Sequence, residues 1–167
     1  MESSKISMKR AKLFEMKPIL EGITHTDGFK FNYAVAKNLR KVKTEIELAQ
    51  ATVEPTKEMN EFQKKRLELC RKHALQENGE PAMKGNRFMI APDKQSVFDE
   101  EIKKLQSEYQ KDIDLHTNKI DAFNNALNDL VEIEVHKVKV EDVPKNIKPV
   151  ELEAILDWVV EDEKAQA

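Results

Sequence analysis

Val35, Leu39, Val42, Ile46, Ala49 and Val53 are separated by 4, 3, 4, 3 and 4 residues. An α-helix brings residues at those intervals onto one side, so the spacing predicts a helix over residues 31–53. At about 1.5 Å per residue it would be a rod of roughly 34 Å. The positions between are rich in Lys, Arg, Glu and Gln, which suit solvated faces. A seam this narrow needs a cover, either another helix or a second copy of the chain.

A longer seam follows. Phe98, Ile102, Leu105, Tyr109, Ile113, His116, Ile120, Phe123, Leu127 and Leu130 are spaced 4, 3, 4, 4, 3, 4, 3, 4 and 3, predicting a helix over about 97–130. The extra 4 between Tyr109 and Ile113 is a stutter, which locally unwinds a coiled-coil packing. Between the two seams, Pro55 lacks an N–H and clashes with the preceding turn, so a break is expected near Thr52–Glu54. A second helix, about 55–76, carries Met59, Phe62, Arg66, Leu69 and His73. Asn78-Gly79-Glu80-Pro81 would end it with a left-handed cap and a proline. Asp93 or Ser96 is a cap for the next helix.

The last third changes period. Val131, Ile133 and Val135 alternate with Glu132, Glu134 and His136, the pattern of a half-buried strand, while Val138 and Val140 fall in the opposite phase. A bulge or break is therefore expected near His136–Lys137. Pro144 and Pro149 bracket a linker to a short helix with Leu152, Ile155, Leu156, Trp158 and Val159. Ile6 and Met8 suggest another strand, followed by an amphipathic segment with Leu13, Met16, Leu20 and Ile23. Arg87–Ile90 is a third strand candidate after the Gly85-Asn86 turn. The expected fold is mainly α (α+β): a long antiparallel helical hairpin or bundle, a small sheet and a short C-terminal helix. Residues 1–160 would form one domain, and 161–167 a frayed acidic tail. With only 4 Gly and 6 Pro in 167 residues, sandwiches and barrels are disfavoured, and 1 Cys excludes an internal disulfide framework. No apolar run approaches a membrane span or a signal peptide, so a cytoplasmic protein is expected.

The run Phe62-Gln63-Lys64-Lys65-Arg66-Leu67-Glu68-Leu69-Cys70-Arg71-Lys72-His73-Ala74, then Asn78-Gly79-Glu80-Pro81 and Gly85-Asn86-Arg87-Phe88, is followed later by Val131-Glu132-Ile133-Glu134-Val135-His136-Lys137-Val138 and a helix from Pro149. This order, over about residues 35–160, resembles small uncharacterised proteins of tailed bacteriophages and prophages. The resemblance implies a phage gene, acting in the cytoplasm of an infected host or in the virion, and carries no activity with it.

Three polar groupings bear on chemistry. Glu108, Asp112 and His116 sit at i, i+4 and i+8, a spacing that can bind a divalent metal; the bland reading, a seam histidine beside solvated carboxylates, fits better. His25-Thr26-Asp27-Gly28 pairs an imidazole with a carboxylate, but also makes an ordinary turn into a helix. Cys70 has Arg66, Arg71 and His73 within about a turn, yet reads first as a small buried hydrophobe. No cofactor and no enzymatic activity are expected.

Charge is more informative. Residues 1–77 hold 16 Lys and Arg against 11 Asp and Glu, a net of +5; residues 78–167 hold 12 against 20, a net of −8. Lys37, Arg40, Lys41, Lys43, Lys64, Lys65 and Arg66 could form a polyanion patch. Exposed aromatics for base stacking are not evident, so pairing with the acidic half is favoured over nucleic acid. The expected function is non-enzymatic protein–protein interaction or assembly, with a protein partner or a homo-oligomer. The interface would use Val35, Leu39, Val42, Ile46, Leu105, Tyr109 and Trp158. A phage-encoded inhibitor or sequestering protein aimed at host machinery is the alternative, and a nucleic-acid-binding accessory protein ranks below it.

Overall fold

The computed structural model describes residues 2–23 and 27–161. In chain order the elements are β1 (Glu2–Lys9), α1 (Arg10–Gly22), α2 (Phe29–Ala51), α3 (Lys57–His73), β2 (Gln76–Glu77), β3 (Glu80–Pro81), β4 (Met83–Lys84), β5 (Arg87–Phe88), α4 (Gln95–Glu108), α5 (Gln110–Ala126), β6 (Leu130–Lys137) and α6 (Pro149–Val159). The protein is thus mainly helical with small antiparallel sheets, and among the described residues no helix is long and apolar enough to cross a membrane. The chain divides into two compact units: Met1–Thr52 with Ala122–Ala167, and Val53–Asp121.

In the first unit β1 and β6 pair antiparallel from Glu2↔Lys137 to Lys9↔Leu130. Ile6, Met8, Val131, Ile133 and Val135 project to one face, as the period-2 alternation requires. Onto that face pack Leu13, Met16 and Leu20 of α1, Phe31, Ala34, Val35, Val42 and Ile46 of α2, and Ile155, Trp158 and Val159 of α6. The heptad seam of α2 is real, and its cover is this mixed layer. Leu39 is only partly buried.

The phase change after Val135 has a different cause from the expected bulge. Register with β1 is unbroken through Lys137. The chain then leaves β1: Val138 N–H donates to Val159 O (2.7 Å) and Val138 O accepts from Glu161 N–H (2.9 Å), a parallel bridge that buries Val138 against the end of α6. Val140, one turn on, is left exposed. α6 starts with Pro149 in its first turn, where a missing N–H costs nothing, and Glu151 Oε2 accepts from Lys148 N–H (3.3 Å).

The second unit opens at the proline. α2 ends at Ala51, and the Thr52 hydroxyl donates to Ala49 O (2.7 Å). After Pro55, Thr56 caps α3 by accepting from Met59 N–H (3.1 Å); Glu58 lies in the first turn and Arg71, Lys72 and His73 in the last, the arrangement the helix dipole favours. Pro55 therefore separates two helices. Met59 and Phe62 of α3 pack on Leu105 and Tyr109, with Leu69 and Ile113 at the margin.

Three expectations about this region change. α3 stops at His73, short of Asn78-Gly79, because Leu75 N–H is drawn to Met89 O (2.7 Å). Asn78 (φ 53°) and Gly79 (φ 84°) instead form the two-residue turn of the β2–β3 hairpin, where left-handed backbone matches strand twist. Arg87–Phe88 pairs with Met83–Lys84 and takes no part in the β1–β6 sheet. Neither Asp93 nor Ser96 caps α4, whose N-cap is Lys94 with no side-chain bond.

The helix expected over 97–130 is also divided. Tyr109 (φ −104°, ψ 15°) interrupts it between α4 and α5, at the stutter itself. The extra residue is absorbed as a local unwinding that keeps Leu105, Tyr109 and Ile113 on one core. α5 ends at Ala126, and Leu127 and Leu130 lie beyond it: Leu127 O accepts from Ala11 N–H (2.9 Å) at the entry to β6.

Candidate functional site

The residues first considered as interface are mostly interior. Val35, Val42 and Ile46 are buried in the first unit with Trp158, and Leu39 is partly buried beside them; Leu105 and Tyr109 are buried in the second. The α2 seam is covered within the first unit from Val35 to Ile46, and Leu105 and Tyr109 of the longer seam are covered within the second, whereas Ile120 and Leu130 stay exposed. On α2, the surface open to a partner is the side opposite its buried seam.

On α2 that side is organised. Phe29, Tyr33, Lys37, Arg40, Lys41 and Thr44 fall within roughly 120° of the helix circumference, at about 100° per residue, and face away from the buried seam. Lys37, Arg40, Lys41 and Thr44, with Glu45 and with Glu134 and His136 of β6, line a groove of about 470 Å³. Lys41 Nζ is 2.9 Å from Glu134 Oε2. Glu134 is held below the usual carboxylate range by Lys41 first and by Ser3 second. Arg40 has no ion-pair partner among the described residues, and Lys37 Nζ lies 5.1 Å from the centre of the Tyr33 ring, a cation–π contact.

His136 registers the field of this groove. Burial lowers its pKa first, Lys37 next and Lys41 last, while Glu134 opposes them. The cations thus create positive potential where the imidazole sits, and an anion would relieve it.

Phe29 and Tyr33 were missed by sequence reasoning. Phe29 is 82% exposed and Tyr33 41%, and their rings stack with centroids 6.0 Å apart and planes 20° apart. They continue the basic stripe at i and i+4 toward the start of α2. The signal was available: these positions lie opposite the apolar seam, where an aromatic has no core to enter.

Asn38 was also missed, and it holds the groove's floor. Its side chain is fully buried; Nδ2 donates to His136 O and Trp158 O (both 3.0 Å), and Oδ1 accepts from His136 N–H (2.7 Å). The amide therefore acts as a peptide group on the free edge of β6, one step before Val138 pairs with the chain after α6. It also satisfies a carbonyl at the end of α6 that the helix leaves orphaned.

The remaining candidates are dispersed. Lys43 is paired with Glu21 (2.9 Å), which it holds below the usual carboxylate range. In the second unit Lys65 binds Tyr109 Oη (2.7 Å) and Glu61 (3.0 Å), and both raise its pKa, the tyrosine foremost. Lys64 and Arg66 are exposed, Arg66 contacting Gln63 (3.4 Å). Glu108 closes α4 whereas Asp112 and His116 belong to α5, so the Tyr109 break interrupts the edge they were expected to share. His116 is half-buried with no hydrogen-bond partner on Nδ1, and among the described residues no three His, Cys, Asp or Glu side chains could hold a metal ion. His25 and Thr26 lie outside the described residues; Asp27 O accepts from Asn32 Nδ2 (3.3 Å). Cys70 is half-buried beside Arg66 and Arg87 on an open cleft. His73 Nε2 is 2.7 Å from Glu101 Oε2 while its Nδ1 is buried without a partner, so neither ring nitrogen is open to a substrate.

No protein-family model matches the chain, and no curated protein or solved structure is significantly similar to it.

Proposed function

We propose that this chain is a non-enzymatic binding protein that engages an anionic partner through the solvent face of α2. The observation that carries the reading is the convergence of Lys37, Arg40, Lys41 and His136 on one groove that also holds Glu45 and Glu134, with Lys37 and Arg40 free of carboxylate partners among the described residues. The α2 seam first read as a subunit interface is occupied by the core, which leaves the opposite face of α2 as its contact surface. The charge is fixed in place: α2 is anchored by the core, and Asn38 ties its middle to β6 and α6. As the product of a phage gene, which the sequence resemblance implies, the protein would act by occupancy of its partner.

Retention of the full chain on immobilised heparin, a generic polyanion, tests this. Elution should shift to lower salt when Lys37→Glu and Arg40→Glu are combined, because each cation lost releases fewer counterions. Absence of retention, or elution unchanged by the two substitutions, would overturn the reading.

A further inference from the structure

We propose that the anionic partner is a single-stranded nucleic acid, with Phe29 as the stacking platform for a base and Lys37, Arg40 and Lys41 as phosphate contacts. This rests on the anionic-partner reading above and narrows it to one ligand class.

The aromatic pair makes the distinction. A patch that recognises only charge has no use for a phenyl ring that is 82% exposed at the head of a helix. Phe29 is supported in the open. Tyr33 stacks with it at 6.0 Å, and Lys37 Nζ lies over the Tyr33 ring at 5.1 Å. The stack Lys37–Tyr33–Phe29 therefore ends in a free aromatic face, which a base can extend. Stacking of this kind is tolerant of sequence, because every base has a π-face.

Lengths agree with this assignment. Phe29 to Lys41 is 12 residues of α2, or about 18 Å along the axis, and at about 3.4 Å per stacked nucleotide that is roughly five nucleotides. The aromatic end comes first, the cations follow, and Glu45 with Glu47 closes the track beyond Thr44. A duplex would bring phosphates to Lys37 and Arg40 but would keep its bases from Phe29. An acidic peptide would satisfy the cations and leave the ring exposed. An unpaired strand uses both with one repeating unit, a base beside each phosphate.

Lys41 is already held by Glu134, so two to three phosphates are neutralised. The logarithm of affinity should then fall against the logarithm of salt with a slope of about −1.4 to −2.1.

Fluorescence anisotropy of the full chain with labelled oligo(dT) and oligo(U), each of about a dozen nucleotides, tests the proposal within the usual site size. A duplex of the same length, heparin and poly-glutamate serve as comparison ligands. The single strands should bind about tenfold or more tighter than the duplex. Phe29→Ala should weaken single-strand binding by about tenfold or more while leaving heparin affinity unchanged, and Phe29→Trp should preserve or tighten it. The ring is exposed, so these variants keep the fold, checked by far-ultraviolet circular dichroism. Lys37→Glu with Arg40→Glu should weaken every ligand. If Phe29→Ala leaves single-strand binding unchanged, or if poly-glutamate matches the oligonucleotides, the nucleic-acid assignment is overturned, in the second case in favour of an acidic protein. If heparin binds through Lys37 and Arg40 but no oligonucleotide does, this inference fails and the anionic-partner reading stands. If neither binds, both fail.

Discussion

Replacing Asn38 by alanine should destabilise the first unit more than any change to an exposed residue of α2. The side chain makes three hydrogen bonds, to His136 N–H, His136 O and Trp158 O, at 2.7–3.0 Å, and it is fully buried. Truncation leaves one backbone donor and two acceptors without their partner, Trp158 O in the interior and the His136 N–H and O in part-buried positions. At about 1 kcal/mol net per bond, and more for a buried group left unpaired, the cost is roughly 3–5 kcal/mol. That is a large share of the roughly 5–15 kcal/mol available to an ordinary domain. Urea unfolding followed by tryptophan emission reads this unit alone, because Trp158 is the only tryptophan and its own carbonyl is one of the three partners. With a slope of about 2 kcal/mol per molar, the midpoint should fall by about 2 M. Asn38→Asp separates hydrogen bonding from cavity formation. It preserves volume but sets a carboxylate against two carbonyls, which raises its pKa above the unfolded value of roughly 4. The variant should therefore be more severely affected at neutral pH than in mild acid, where the folded state takes up the proton. A loss below about 1 kcal/mol for Asn38→Ala would refute the argument that this amide completes the edge of β6.

Other expectations follow from the same contacts. Thr56→Ala removes the cap on α3 and should cost about 1 kcal/mol, read by far-ultraviolet circular dichroism in urea. Glu101 is held below its ordinary value of 4.5 by Lys72 first and His73 second; it contributes stability above that value, lost as pH falls through its folded pKa. Glu101→Gln should flatten the acid limb of the second unit's stability curve, and an unchanged limb would contradict the assignment. His136 has a folded pKa below its ordinary 6.5, so the unfolded chain takes the proton first and stability declines as pH falls from 6.5. Facing it are Lys37 and Lys41 on α2 and Glu134 on its own strand; Lys37→Met should raise its pKa toward the ordinary value in an NMR titration, and no rise would remove Lys37 as a cause.

Much of this architecture was legible in residue spacing. The α2 seam, the Pro55 break, the β1 and β6 alternation and the apolar positions of α6 are local patterns, and local patterns are what sequence carries most directly. What covers a seam is not local. Val35, Val42 and Ile46 demand burial, but nothing in them distinguishes a partner helix from the face of a two-stranded sheet. Tyr109 shows how a correct signal can be read at the wrong scale: the stutter was visible, and the structure spends it on a break between α4 and α5. Val138 is similar, since its phase change marks a new hydrogen-bond partner where a bulge was expected. Asn38 was illegible for a plainer reason. A polar residue inside an amphipathic helix reads as solvated unless the two chain segments it bridges, 98 and 120 residues away, are already known to meet there. For the candidate site, the basic residues were found by counting; Phe29 and Tyr33 were readable as lying opposite the seam, and the structure adds that their rings are exposed and stacked.

The most direct test of the central claim is an NMR titration of the isotope-labelled chain with oligo(dT), mapping which amides shift. Binding along α2 predicts saturable shifts from Phe29 through Thr44 and at His136, together with a rise in the His136 pKa as bound phosphate relieves the field of Lys37 and Lys41. Shifts confined to other surfaces, or a His136 pKa that stays where it was, would contradict the account.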